Sequence, residues 1–385
     1  MKTDLCYLDH AAATPVDPLV LAAMQPYFTE QFFNPSSPYA PSVAIKRQYR
    51  DAKARIARVL GVGADELVMT AGATESVNLA FQAAADGQCL VSGIEHASVL
   101  AAAARYRAPV IVAPDHKGRI TPEAVQAALT PEVSFLSIAL VNHELGIIQP
   151  IGEIARVVQA ERQRRQAARE TTPIVFHTDA SQAGALLDVK VKRLGVDLLT
   201  MSAAKVYGPK QVGLLWVRPG VRLTPTILGG GQEAGLRSGT ENVAGVVGFA
   251  EALELAARRR SGEVARLRGL RDQLLGQLTD AFPEMIVSTD QKKSLVSFLN
   301  LSFPGLDAER LIFLLEQQGV LVATGSACAA NAGTRSHVLL AIGLDEAAVD
   351  GSLRLTLGRL SNEENVARAA KAIIQAVRQE QERVR

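Results

Sequence analysis

Between residues 65 and 220, seven short apolar, β-rich runs alternate with stretches of helical pattern. The runs are LVMT (67–70), CLVSG (89–93), PVIVA (109–113), VSFLSIALV (133–141), PIVFHTDA (173–180), DLLTMSA (197–203) and GLLWVR (213–218). Several carry no polar alternation, the pattern of strands buried on both faces. Between them lie segments such as TPEAVQAALT, with Thr121 placed to cap a helix and Pro122 at its first position. This alternation predicts an α/β layer architecture, with a mainly parallel sheet of about seven strands flanked by helices. From 243 to 280 the pattern is helical. LVSFLNLSF (295–303) then opens a second α/β unit, followed by the helical AERLIFLLEQQG, a loop, and a last helix from about Asn362. The expected division is a large domain over 14–257 and a smaller α/β domain over 258–385. Residues 1–13, which have no helical period, are expected to pack with the smaller one.

The 385 residues suit two or three domains, and 48% apolar with 21% charged is ordinary globular composition. A net charge of +2 provides no strong field for nucleic acid or an anionic membrane. No nucleic-acid motif is visible, and Glu161–Arg165 reads as a solvated helix face. MKTDLCYLDH has no apolar core of a secretory signal, and no apolar run approaches the ~20 residues of a membrane helix. Cys6, Cys89 and Cys328 make neither a disulfide framework nor a metal-ligand spacing. A reducing, cytoplasmic location is the expectation, with no nucleic-acid or membrane partner.

The chemistry concentrates where strands end. Asp179 closes PIVFHTD and Lys205 follows DLLTMSA, so in a parallel sheet both face one edge, where ligands bind. A lysine and a carboxylate converging there suit pyridoxal 5'-phosphate, the lysine forming a Schiff base and the carboxylate keeping the pyridine nitrogen protonated. Taken singly, a lysine after a strand is more often a solvated loop residue, and an aspartate there is often a helix cap. Thr70–Ser76 (TAGATES) follows the first strand with small residues that let backbone amides approach an anion at a helix N-terminus, or that simply make a capping turn. Glu95-His96 follows the second run at the same edge, where a histidine could stack on a cofactor ring and carry protons, or be structural. Gly229-Gly230-Gly231-Gln232-Glu233 leads into Arg237–Asn242, either a closely approached loop or a linker. Thr324–Gly333 surrounds Cys328 with small residues, which reads as a loop able to present a nucleophilic thiol. Cys6 and Cys89 read as core residues. Arg354 lies inside the apolar run GSLRLTLGR and so requires a paired anion.

In order along nearly the whole chain, YLDHAAATPVD, NPSS, GATES, EH, HTDASQ, SAAKVYGPK, GGGQE, RSGTEN, GSAC, SHVL and SLRLTLGR resemble the NifS/IscS family of cysteine desulfurases. The resemblance implies a fold-type-I pyridoxal-phosphate homodimer that converts L-cysteine to L-alanine. Sulfur would pass to an enzyme cysteine as a persulfide, then to an acceptor protein such as an iron–sulfur scaffold or a thiolation factor. It implies Lys205 as the Schiff-base lysine, Asp179 as the pyridinium partner, Gln182 at the ring hydroxyl, and His96 stacked on the ring as acid and base. It further implies Ala73, Thr74 and Ser202 at the phosphate, with Thr240 reaching it from the other subunit. Asn34 and Arg354 would hold the substrate carboxylate. Cys328 would be the nucleophile, on a loop of about 323–337 in the smaller domain whose length matches the IscS-like branch.

Three positions depart from the family's pattern. Ala204 stands where a histidine donates to the phosphate; one lost charge-assisted bond costs about 1.5–3 kcal/mol. His143 replaces the second Asn of Asn-Asn-Glu, where a neutral imidazole could still donate to the cofactor. Tyr39 stands where a histidine follows NPSS. These departures keep two other readings open: a related lyase acting on C–S or C–Se bonds, and a low-activity paralogue serving as a scaffold.

Overall fold

The computed structural model describes residues 5–84, 87–106, 109–325 and 335–385. In chain order its strands are β1 (Cys6–Tyr7), β2 (Leu67–Thr70), β3 (Gln88–Ser92), β4 (Val110–Val112), β5 (Val133–Ser137), β6 (Val175–Asp179), β7 (Leu198–Ser202), β8 (Gly213–Val217), β9 (Ile286–Val287), β10 (Phe298–Ser302), β11 (Val320–Leu321) and β12 (Ser352–Thr356).

All seven expected runs enter one sheet, ordered β2-β8-β7-β6-β5-β3-β4. Six strands run the same way. β8 is antiparallel to both neighbours, β7 and β2. The uninterrupted apolar character follows from position, since every residue of β2, β5 and β7 is buried. The fourth run keeps strand register with β6 as far as Ser137, and the Ile138 and Leu140 amides still donate to the His177 and Asp179 carbonyls. The chain then turns back on itself, and Val141 bridges Ile148. Thr121 caps the helix Pro122–Ala128 through the Ala124 amide, and Asn362 caps the last helix, Glu363–Val384.

A second sheet, β12-β10-β9, is antiparallel, and β1 pairs in parallel with β11. Bridges Asp9↔Thr356 and Ala323↔Arg354 join the N-terminal segment and β11 to β12. Cys6 and Leu8 belong to a hydrophobic cluster otherwise drawn from residues 267–377. The helix Val243–Ala281 serves both cores. Its first turns pack under the large sheet from Val243 to Leu255, and its last turns pack in the smaller cluster from Leu267 to Leu278.

One expectation for the surface needs correction. Of the Glu161–Arg165 stretch, Arg164 is solvated but Arg165 is only 3% exposed. Its guanidinium donates to the carbonyls of Val133, Thr130 and Thr172 and pairs with Glu161. It ties the helix to the loop ends around β5, because a buried arginine must spend its donors on acceptors. Among the described residues, no helix is long and apolar enough to cross a membrane.

Candidate active site

Adjacent parallel strands β6 and β7 open on the same sheet edge: β6 ends at Asp179, opposite Thr200, and β7 runs two residues further to Ser202. Asp179 therefore stands at the carboxyl edge of the sheet, its Oδ1 accepting from the Ser181 amide at 2.9 Å. Lys205 sits one short turn beyond β7, in Ala203–Lys205. Both line a cavity of about 750 Å³, the size range of small-molecule and cofactor sites. The Lys205 ammonium donates to the Ala11 carbonyl at 2.6 Å and to that of Ala12. Gln182 also lines the cavity and donates to the Ala11 carbonyl at 3.0 Å. The N-terminal motif YLDHAAATPVD thus forms one wall, a role its sequence did not disclose.

A second wall is the start of the helix Ala73–Ala80. Gly72 precedes it with φ 142, and a Cβ there would meet nothing within 4 Å. The amides of Ala73 and Thr74 lie in the first turn, where no intrahelical acceptor exists, and both residues face the cavity. Gly213 of β8 lets the backbones close up: a Cβ on it would lie 2.6 Å from the Gly72 carbonyl carbon. Glu75, which also lines the cavity, locks the turn, accepting from the Ala71 amide at 2.8 Å and from Arg237 Nε at 3.0 Å. Arg237 thereby draws the RSGTEN segment to the cradle. Ser202, at the end of β7, lines the same cavity, as do Ala204, Lys210 and Gln211. Lys210 belongs to SAAKVYGPK, yet nothing in the residue pattern distinguished it from a surface lysine.

The third wall carries two imidazoles. His96 caps the helix Ala97–Ala103, its Nδ1 accepting from the Ser98 amide at 3.2 Å with Ser98 Oγ at 2.8 Å. His143 stands beside it, ring centroids 5.1 Å apart and planes at 74°. The turn that presents His143 is fixed by Asn142. Its Oδ1 accepts from the Glu144 and Leu145 amides at 2.9 and 2.8 Å, and its Nδ2 donates to the Ile94 carbonyl at 2.8 Å. Gly146 completes the turn at φ 68. Burial pushes both imidazoles below the ordinary histidine range; for His143 the neighbouring Arg354 and Lys205 push the same way. Asp179 opposes the shift at His96.

Two carboxyls lie behind this wall. Glu95 Oε1 accepts from Ser92 Oγ at 2.5 Å and from the Ala139 amide at 2.9 Å, while Oε2 is enclosed without a partner. Burial, followed by the Asp179 charge, raises its carboxyl to about 8. Glu144 Oε2 accepts from Ser336 Oγ at 2.5 Å. Its Oε1 has no hydrogen-bond partner and lies 3.6 Å from His143 Nε2. Burial raises this carboxyl too, opposed by the Ser336 hydroxyl and the charges of His337 and Arg354. His337 Nε2 donates to the Glu95 carbonyl at 3.0 Å.

Arg354 projects from β12 into the cavity lining with only 3% exposure. The anion its position demanded is Asp9, whose Oδ1 accepts from Nη2 at 2.7 Å. Nη1 donates to the carbonyls of His143 and Gly325, and Nε has no partner. Asp9 was missed because the two residues are 345 positions apart. The lining includes neither Asn34 nor Thr240. Asn34 is exposed and accepts from the Ser36 amide at 2.9 Å, and Thr240 is exposed. Cys328 lies outside the described residues. Cys6 and Cys89 are buried, the Cys89 thiol pushed up to about 12, which fits core residues.

These residues suit pyridoxal phosphate: a lysine amine, a carboxylate at a neighbouring strand end, and unsatisfied amides at a glycine-opened helix start share one cavity.

Comparison with known proteins agrees in extent and kind. The aminotransferase class-V family model matches residues 6–369. Cysteine desulfurase IscS 1 of Archaeoglobus fulgidus is 36% identical over 377 residues, covering 95% of each chain. Cysteine desulfurase IscS of Anaeromyxobacter dehalogenans is 38% identical over 385 residues, covering 97% of this chain and 92% of its own. Among solved structures, a NifS-like protein superposes with a TM-score of 0.88 at 31% identity, covering 97% of this chain and 99% of its own. SspA in complex with cysteine gives 0.76 at 33%, covering 91% and 98%.

Proposed function

Because this chain belongs to the class-V aminotransferase family, with cysteine desulfurases as full-length relatives, we propose the following division of labour within its cavity. The chain is a pyridoxal-phosphate-dependent cysteine desulfurase that takes L-cysteine to L-alanine. The observation that supports the assignment of parts is Lys205 and Asp179 at neighbouring strand ends, across one cavity from the helix start at Ala73.

When bound, pyridoxal phosphate supplies an electron sink for negative charge on the substrate carbons. Lys205 holds it covalently, and Asp179 holds a proton on its ring nitrogen. Gln182 reaches its ring hydroxyl. The Ala73 and Thr74 amides and Ser202 receive its phosphate, with Thr240 of a second subunit. His96 would face the ring and present its Nε2–H, the nitrogen its cap leaves open; acting as acid or base would require release of that cap. Asn34 and Arg354 hold the substrate carboxylate; for Arg354 this requires a contact through Nε or release of Asp9. Cys328, on the loop of about 323–337, attacks the substrate sulfur. A sulfur–sulfur bond forms, the carbon–sulfur bond breaks, and its electron pair stays on carbon. The persulfide then passes to an acceptor protein, with iron–sulfur assembly or thiolation as the destination, in the cytoplasm.

A homodimer fits the surface. Leu19, Leu21, Phe28, Phe32, Tyr39 and Leu228 are exposed large apolar side chains, Phe28 and Phe32 above 60%, and burying them against a second copy would offset the cost of their exposure.

The test is turnover of L-cysteine with a thiol reductant. Wild type should release alanine and sulfide, and Cys328→Ser should lose persulfide formation while keeping the visible cofactor absorbance. A lyase acting on other C–S or C–Se substrates is the second reading, favoured by Ala204 and His143 both lining the cavity. It predicts full activity in Cys328→Ser.

A further inference from the structure

We propose that His143 is the proton acceptor of this cavity, oriented by Glu144, and that it removes the ammonium proton of the incoming amino acid. His96 then serves only as a hydrogen-bond donor through Nε2. The inference rests on the desulfurase reading for the identity of its substrate, L-cysteine.

It begins with what His96 cannot do. Its Nδ1 lone pair accepts from the Ser98 amide, 3.2 Å away, and that amide has no other role than capping the helix Ala97–Ala103. An amide always donates, so Nδ1 carries no proton and the neutral ring carries its proton on Nε2. Neutral His96 therefore offers the cavity a donor. To take up a proton it would have to give up its cap.

His143 is free of that constraint. Its ring makes no hydrogen bond among the described residues, and it lines the cavity with its side chain 12% exposed. Glu144 Oε1, which no other group satisfies, lies 3.6 Å from Nε2. The opposite carboxyl oxygen is pinned by Ser336, so Oε1 is held where it is. At 3.6 Å this is an ion-pair approach and not a hydrogen bond; an ionised carboxyl there favours the proton on the facing nitrogen and leaves the other as acceptor, the orienting logic of acid–base dyads. Burial, with the nearby Arg354 and Lys205, pushes the ring towards its neutral form. Asp179 acts on His96 instead.

Substrate placement follows from Arg354. Its Nη1 donates to the His143 carbonyl at 3.0 Å, so a carboxylate held at this guanidinium brings its α-nitrogen beside His143. L-cysteine arrives as an ammonium carboxylate, and its nitrogen must lose a proton before it can attack carbon. The step balances: the proton moves from nitrogen to His143 Nδ1, the N–H electron pair stays on nitrogen, and no other bond changes.

Three measurements on the full-length, cofactor-loaded protein test this. His143→Ala should lower kcat/KM for L-cysteine about 100-fold or more at neutral pH, within the usual range for a general base. Added imidazole should restore it in proportion to imidazole's neutral fraction. Hydroxylamine, already unprotonated at neutral pH, should bleach the cofactor at the wild-type rate in the same variant. ¹⁵N-histidine NMR of the protein, with or without cofactor, should show His143 protonated on Nε2, and Glu144→Gln should shift that signal. An unchanged kcat/KM, no imidazole rescue, equal slowing towards hydroxylamine, or a proton on Nδ1 would each overturn the assignment. If His143→Ala fails to hold cofactor, the NMR tautomer decides alone. Wild-type protein that bleaches with hydroxylamine but makes no alanine sinks the desulfurase reading and leaves the His143 test standing.

Discussion

Glu95 is the residue on which burial acts most plainly. Folded, its carboxyl ionises at about 8; unfolded, it returns to the ordinary range near 4.5. Between those values the folded chain keeps a proton that the unfolded chain has lost. Stability from this group is therefore full below pH 4.5, declines as pH rises, and is lost above pH 8. The difference is on the order of a few kcal/mol, since each pKa unit is worth ~1.4 kcal/mol. Glu95→Gln mimics the protonated side chain and keeps both bonds accepted by Oε1. Denaturant unfolding at pH 5 and pH 8 should show wild type losing more stability than the variant; parallel profiles would contradict the account. The individual site residues were unevenly legible. Asp179, Lys205 and His96 announced themselves by following strands. Asp9, Glu144 and the Ala11 carbonyl did not, because their partners lie far along the chain.

Among the elements, the seven strands of the large sheet were readable because each is an apolar run long enough to cross a buried sheet. Their order, and the reversal of β8, were not readable, since neither leaves a mark on composition. The fourth run outlasts its strand: after Ser137 the Ile138 and Leu140 amides still bond to β6, and Val141 opens a buried turn by bridging Ile148. That turn is what delivers His143 and Glu144. The phosphate cradle depends equally on two elements meeting without side chains. A methyl group on Gly213 would lie 2.6 Å from the Gly72 carbonyl carbon and 2.9 Å from the Met201 carbonyl oxygen. Gly213→Ala should therefore destabilise the chain by about 1–3 kcal/mol, the usual cost of overpacking. It should also weaken cofactor retention on dialysis at least tenfold. Unaltered retention would show that the helix start is not the phosphate site.

Across the whole molecule, one 39-residue helix runs through two hydrophobic cores, and the N-terminal strand crosses back to the second of them. The cavity lies where these parts meet, lined by Ala11 from the N-terminal segment, Lys205 after β7 and Arg354 of β12. The exposed apolar side chains at 19–43 and Leu228 give the expectation at this scale. Sedimentation should find a dimer, and Phe32→Glu with Leu228→Asp should yield monomers that retain the fold. Monomeric wild type would remove the support for a shared site at Thr240. The central claim, transfer of sulfur from L-cysteine to Cys328, is tested most directly by mass spectrometry of the cofactor-loaded protein after brief exposure to L-cysteine. One added sulfur atom on the peptide containing Cys328, removed by reductant and absent from Cys328→Ser, is the predicted result. Alanine formed with no sulfur on that peptide would contradict it.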